Sequence, residues 1–546
     1  MQLKFLLPTL ALLSTCSLAQ STAPAKFVLE LQGRNIGTAD YTFQPSSDGW
    51  KLTAHYQFTV PVAVSATRQA AFRKDWEPLA ESTGVDVAQT KQSLALTPNK
   101  DRTSLNFHAV AGGQDVRKDF PLQPHTVVLA NFDPSALQVL LNMHAANPAG
   151  GGKYQCFIPS GTGTMLACTL TPSADASAML NGKPIPLKHW SLALASTTMD
   201  VYATADGELM DASVKAQSLD YRRDGLEMHT PPQAAAVPPA GVSEREVTFP
   251  SDGLTVPGTL TLVEHPATPT PIAVLVQGSG VQDRDETVGE NKVFQQLAWA
   301  LAQRGVATLR YDRRPKFAMA SFLAHPDLDH EVVIDAASAL EYCATLPGVD
   351  TTHGIFLIGH SLGAQLAPYI VQRADARKPN LVSGYVLLAG VQTPIDQTMV
   401  RQIKEFGKAQ GATDAQINDS LEKWNKIFAD AHNPAVPADK QEGMGTTAGY
   451  WRDWLARDPA AVMKTLQVPA LVLRGELDRN VTHEDFAALA AAATAAGSEA
   501  KEFPGLNHLF MTANGPYADE MKAGSIAPIV LDTISQWVLH TEKRKA

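Results

Sequence analysis

The chain has 546 residues, and at roughly 150 residues per domain, relaxed for longer α/β folds, it divides into two or three units. Hydrophobic residues make up 45% and charged residues 18%, with 37 glycines and 36 prolines, an average globular composition that excludes wholesale disorder, collagen and coiled coil. Lys and Arg number 45 against 55 Asp and Glu, a net charge of -10 and the wrong sign for gripping phosphate backbones, so no nucleic-acid partner is expected.

At the amino terminus Lys4 precedes an apolar run from Phe5 to Leu13, followed by Ser17-Leu18-Ala19 with small residues where a signal peptidase needs them. Residues 1–19 therefore read as a signal peptide and the protein as exported, periplasmic or extracellular. The run is shorter than the roughly 20 residues of a spanning helix. No integral membrane segment is expected after its removal. The alternative of a lipid anchor on Cys16 is weakened by Thr15, an unusual residue before an acylated cysteine.

Residues 20–228 alternate apolar and polar positions over short runs, as in Phe27-Val28-Leu29-Glu30-Leu31 and Lys51 to Phe58, broken by turns such as Ser46-Ser47-Asp48-Gly49. That pattern predicts a mainly antiparallel β domain with one helix around Pro134 to Met143. Cys156 and Cys168 flank Gly161-Thr162-Gly163, a turn between two β-like runs. Their number leaves two readings open, a local disulfide or two buried thiols. No catalytic cluster lies in this region, and the partner of the domain is unknown. A Pro/Ala-rich linker follows over 229–243.

From 244 to 546 the pattern changes. Compact apolar runs at Val274-Leu275-Val276, Val306 to Leu309, Ile355 to Ile358, Val386 to Leu388 and Leu471 to Leu473 alternate with helical stretches such as Asn291 to Arg304 and Glu331 to Leu346. This predicts an α/β domain, a parallel sheet covered by helices on both faces, with ligands beyond the carboxyl ends of its strands. Residues 396–466 interrupt the alternation with a helical, Trp-containing insertion the size of a lid.

The run Gly354 to Ile358 leads into Gly359-His360-Ser361-Leu362-Gly363 and then a helical stretch. A serine on such a strand-to-helix turn is lifted over the sheet edge, and small neighbours admit the close backbone. A serine hydroxyl needs a base to take its proton and a carboxylate to orient that base. Asp478 follows the strand ending at Arg474, and His508 follows the run Ala500 to Phe503, in the order Ser, Asp, His. Ser361, Asp478 and His508 are the expected catalytic residues, with Glu476 as the fallback acid. The backbone N–H groups of Leu362 and of Ser279, in the loop Gln277-Gly278-Ser279-Gly280, are the expected oxyanion donors. The run Asp283-Arg284-Asp285-Glu286 reads as a salt-linked loop holding that turn, and Asp312-Arg313-Arg314 as similar scaffolding. Trp424, Tyr450, Trp451 and Trp454 read as the lid's own core. No metal-ligand spacing and no phosphate loop is present, so no metal or cofactor is expected.

On the stretches from Gly278 to Glu286, Leu309 to Arg314, Gly359 to Gly363 and Pro504 to Phe510, the region 244–541 resembles the α/β-hydrolase superfamily, in particular its serine aminopeptidase-like and acyl-esterase bacterial members. Where many relatives carry His-Gly, this chain has Gln277-Gly278, which keeps the backbone role and lacks one imidazole. The resemblance implies an α/β-hydrolase fold with a mostly parallel central sheet and a helical lid, and it follows the separate mainly antiparallel β domain read from the alternation above. The expected function is an exported serine hydrolase that cleaves carboxylic esters of a small-molecule acyl substrate through an acyl-enzyme on Ser361. Alternatives are a peptidase or thioesterase with the same triad, or a non-catalytic ligand-binding protein on a retained hydrolase scaffold.

Overall fold

The computed structural model describes residues 24–541 except 32–33, 60–62, 88–89, 112–113, 131, 148–149, 160–162, 195–196, 215–218, 229–236, 265, 267–269, 348–353, 410, 444–445 and 515–519. The signal-peptide reading, Cys16, most of the expected linker and the turn residues Gly161 and Thr162 lie outside the described residues. The chain divides into two compact units near residue 235. Among the described residues no helix is long and apolar enough to cross a membrane.

The first unit is a 17-stranded sheet. Its strands are antiparallel throughout except where Lys153–Ile158 runs parallel to Thr126–Val128. Alternation in sequence becomes alternation in burial: in Gly49–Phe58 every second residue from Leu52 onward is buried, because successive side chains leave opposite faces of a strand. The helix Pro134–Ala146 is capped by Asp133, whose side chain accepts from the Ser135 N–H, and it is buried from Pro134 to Met143. Its few polar side chains are therefore paired. Gln138 bonds Asn142, Tyr41 and the Leu209 N–H. The helix shares a core with strands from both halves of the sheet, including Phe27, Tyr41, Val201 and Leu209. Beyond it the two end regions of the sheet meet side chain to side chain, Phe120 lying 4.9 Å from Phe157 between ring centroids. The sheet thus curls round the helix. Buried Arg68 reaches Glu81 and the capping Asp133, each at 2.8 Å, and so ties the helix start to the strands. Cys156 and Cys168, on neighbouring strands, are joined as a disulfide with Cα atoms 6.0 Å apart.

The second unit is built on eight strands: β1 Val242–Ser251, β2 Leu254–Val263, β3 Ile272–Val276, β4 Ala307–Tyr311, β5 Ile355–His360, β6 Val382–Leu388, β7 Ala470–Gly475 and β8 Glu499–Phe503. Strand β1 begins at Val242, inside the expected linker; its pairing with β2 extends to Val263. The spatial order is β1-β2-β4-β3-β5-β6-β7-β8. β1, β2 and β4 pair antiparallel and all later neighbours parallel. The strands read as unbroken apolar runs because both faces are covered. Val274, Val276 and Leu357 pack into one core with the helices Ile334–Cys343 and Leu362–Arg377. Ala273, Leu275 and Phe356 pack into another with Val293–Ala302 and Pro528–His540. The helix expected from Glu331 opens with a π-helical turn, Asp329–Val333, from which Glu331 reaches Arg313. The lid comprises the helices Ile395–Ala409, Asp414–His432, Ala448–Leu455 and Pro459–Met463 and a short hairpin. Strand order reverses beside β3, so the loops leaving β3 and β5 diverge and open a crevice at their carboxyl ends.

Candidate active site

Ser361 lies between β5 and the helix Leu362–Arg377 with φ 53° and ψ -114°. A non-glycine residue in that region is strained and persists only where its surroundings hold it. Here they do: the Ser361 N–H bonds the Leu388 carbonyl at 2.9 Å, and the two flanking glycines leave no space for a side chain. A Cβ on Gly359 would lie 2.3 Å from the Gly363 carbonyl oxygen, and one on Gly363 2.1 Å from that of Val276. The Leu362 N–H opens a helix and has no partner within it.

The loop after β3 comes against the serine from the other side. A Cβ on Gly278 would lie 3.1 Å from the Ser361 Cβ, so Ser279 follows directly on a residue touching the turn at Ser361. Buried Arg313 donates to the carbonyls of Gln277 and Gly280 and so pins this loop at both ends. Glu331 balances Arg313 at 3.3 Å and accepts the Tyr450 hydroxyl of the lid at 2.9 Å. Trp454 donates to Gln365 on the helix Leu362–Arg377. It stacks on Trp451, which meets Trp424 at 5.2 Å, so the lid tryptophans pack on one another and also join the lid to the core beneath it.

Asp478 and His508 meet at 2.8 Å, Oδ2 to Nδ1. Asp478 Oδ1 accepts from the N–H groups of Asn480 and Val481 at 2.8 and 2.9 Å. Arg474 clamps the same loop through the carbonyls of Asp478 and Val481. Glu476, the fallback acid, is exposed and bonds the Gly505 N–H instead. The His508 ring is buried, which opposes its protonation. The charge and hydrogen bond of Asp478 outweigh that, aided by Glu520 and Glu286, and raise its pKa to about 9. Glu520 also accepts the His508 N–H at 3.3 Å. The Ser361 hydroxyl and the Ser279 N–H have no hydrogen-bond partner among the described residues.

Three neighbours escape a sequence reading. His360, whose side chain is 4% exposed, lies against His508 with ring centroids 4.6 Å apart and planes tilted by 46°. Glu286, buried among the acids read as scaffolding, bonds His360 and the Gly278 N–H. Glu520 lies 12 residues beyond His508. The rest of that run is scaffolding: Arg284 pairs with Asp312 and Glu246, and Asp285 with Arg310. Among the described residues no group of three His, Cys, Asp or Glu could hold a metal ion.

Residues 273–520 match the model of the alpha/beta hydrolase family. The chain is 30% identical over 311 residues to the esterase EstD of Thermotoga maritima, a match covering 56% of this chain and 69% of that protein. Among solved structures, Est1E from Butyrivibrio proteoclasticus aligns over 54% of this chain and 98% of its own at 16% identity and a TM-score of 0.34. A hyperthermophilic esterase from Pyrobaculum calidifontis aligns over 54% and 82% at 18% identity and a TM-score of 0.37.

Proposed function

Since the chain belongs to the alpha/beta hydrolase family, we propose that it is an exported serine hydrolase cleaving carboxylic esters through an acyl-enzyme on Ser361. The observation that carries the reading is the buried Asp478–His508 pair on the same sheet edge as a serine held at a positive φ. In the forward step the Ser361 oxygen attacks the acyl carbon while His508 Nε2 takes its proton. Asp478 keeps the other proton on Nδ1. The carbonyl oxygen, now an anion, accepts from the N–H groups of Leu362 and Ser279. Collapse expels the alcohol with the proton from His508, and water then repeats the sequence to free the acid and Ser361.

Esters are favoured over peptides by the lid. An aminopeptidase must hold a substrate ammonium, usually with unpaired carboxylates. Here Asp419, Asp430 and Glu405 are engaged by Lys423, Lys440 and Arg401, an ordinary charged surface. The EstD relative, an esterase by name, supports the same choice. Export rests on the amino-terminal leader pattern, and sequencing the amino terminus of the secreted protein tests it. The activity is tested with a fluorophosphonate probe and short-chain nitrophenyl esters. Wild type should label and turn over, while Ser361→Ala folds normally and does neither. Full turnover by the alanine variant removes Ser361 from the mechanism.

A further inference from the structure

His360 and Glu286 have no role in the proton transfers above, yet they are buried in the middle of the groups that perform them. His360 Nε2 lies 3.0 Å from the carbonyl oxygen of His508. Its Nδ1 lies 2.9 Å from Glu286 Oε1. The same carboxylate oxygen accepts the N–H of Gly278 in the oxyanion loop, and among the described residues Glu286 Oε2 has no partner. The Glu286 side chain is 2% exposed, and its backbone sits at φ 48°, a conformation a non-glycine residue holds only when its surroundings fix it.

Counting protons constrains this cluster. A carbonyl oxygen only accepts, so His360 Nε2 carries a hydrogen. Gly278 already donates to Oε1, so the contact between Nδ1 and Oε1 needs one further proton, on the imidazole or on the carboxyl group. Either way the pair is neutral overall and satisfies three links at once: to the oxyanion loop, to the residue before the nucleophile, and to the backbone of the general base. An amide in place of the carboxyl group cannot keep all three. If its oxygen accepts from both Gly278 and Nδ1–H, His360 is a buried cation that has lost its bonded counter-charge. If its NH2 donates to Nδ1, the Gly278 link is lost. An unpaired buried charge or donor is expensive.

We infer that Glu286 and His360 are positioning residues for the hydrolysis: a single buried pair that sets the spacing of the oxyanion loop and the His508 loop across Ser361. The inference rests on the serine-hydrolase reading. It goes beyond it by assigning to two residues outside the triad an effect on the transition state rather than on substrate binding.

The test is steady-state hydrolysis of nitrophenyl butyrate by the full chain carrying Glu286→Gln, His360→Gln or both, with thermal melts and with Ser361→Ala alongside. A misplaced oxyanion donor loses transition-state stabilisation of the order of 10²-fold. The expected result for each single variant is therefore about 10²-fold lower kcat with KM within threefold. Because the two residues act as one unit, the double variant should lose no more than the worse single one. Losses that multiply, or that fall on KM, overturn the inference, as does full kcat in Glu286→Gln. If Ser361→Ala stays active, the serine reading itself has failed, a separate outcome. Should the variants not fold, the wild-type protein decides. Adding phenylboronic acid, which mimics the tetrahedral adduct, should shift two strongly downfield imidazole N–H proton resonances, one for each buried imidazole–carboxylate pair. A shift of only one leaves His360 as plain core and refutes the proposal.

Discussion

Replacing Asp478 by Asn should inactivate the protein without unfolding it, and the hydrogen bonds around the side chain show why the amide has no escape. Asp478 Oδ1 faces two backbone donors, the N–H groups of Asn480 and Val481. The amide oxygen must occupy that side, since an NH2 there would confront two N–H groups. The NH2 then faces His508 Nδ1, now 2.8 Å from Oδ2, and it can only donate. The imidazole is driven to the tautomer with its hydrogen on Nε2, the atom that has to take the serine proton. A triad with this tautomer loses about 10⁴-fold in kcat, or roughly 5.5 kcal/mol of barrier. The assay is burst and steady-state release of nitrophenol from a short-chain ester, with the far-ultraviolet spectrum as the control for folding. Glu476→Gln is the internal comparison: its carboxylate is exposed and bonds only the Gly505 N–H, so its loss should change kcat less than threefold, within the range of surface substitutions. Retention of more than a tenth of the activity by Asp478→Asn, or a collapse in Glu476→Gln, would refute the assignment of the acid.

Three further outcomes are expected. The general base must be neutral to accept a proton, and the His508 pKa is raised to about 9, so kcat/KM should climb about tenfold per pH unit through neutrality toward a limb near 9; a plateau already reached at pH 6.5 contradicts this. Cys156 and Cys168 are 12 residues apart in sequence, so replacing both with Ser should destabilise the amino-terminal domain by about 3 kcal/mol, read from its denaturation midpoint, whereas peptide mapping without reductant that finds two free thiols removes the claim. Aminoacyl nitroanilides should be cleaved with kcat/KM at least about a hundredfold below nitrophenyl esters, a gap of roughly 2.7 kcal/mol, and parity between the two would favour a peptidase.

The catalytic half was legible because its constraints are local. Strands buried on both faces must be apolar throughout, and Val274, Leu357 and Leu471 announce β3, β5 and β7 for that reason. The turn at Ser361 leaves a signature because backbone crowding permits only glycine at its two ends, Gly359 against the Gly363 backbone four residues on and Gly363 against Val276 of β3. Asp478 and Glu476 both follow one strand, and the loop bonds that aim Asp478 at His508 come from residues two and three positions on. In the amino-terminal domain the same rule sets the limit. Alternation in Gly49–Phe58 gives a strand and its buried face, and Pro134–Ala146 announces a helix by an apolar run after a capping Asp. The curling of the sheet round that helix depends on partners such as Phe27 with Arg223 and Leu31 with Leu219, pairings far apart in the chain that no local pattern encodes.

The same reasoning explains which polar residues stayed hidden. A capping Thr or an Asp in a tight turn finds its partner within four residues, so its role follows from its position. Glu286 finds His360 across 74 residues, and His360 finds the His508 carbonyl across 148. Arg313 finds the Gln277 carbonyl across 36 and Tyr450 finds Glu331 across 119. In sequence Glu286 and Arg313 read as salt-linked scaffolding and Tyr450 as lid core, and nothing in that reading names the distant partner of any of them. What separates them from surface charges is burial, because a group removed from water must have its hydrogen bonds supplied by the fold. Burial was not readable, since it is fixed by how β3, β4 and β5 lie side by side. Strand ends alone are enough to propose Ser361, Asp478 and His508; the Glu286–His360 pair proposed to hold their backbone in register exists only once the sheet has formed. Their contribution to rate therefore has to be measured as a coupling between residues, not inferred from any one position.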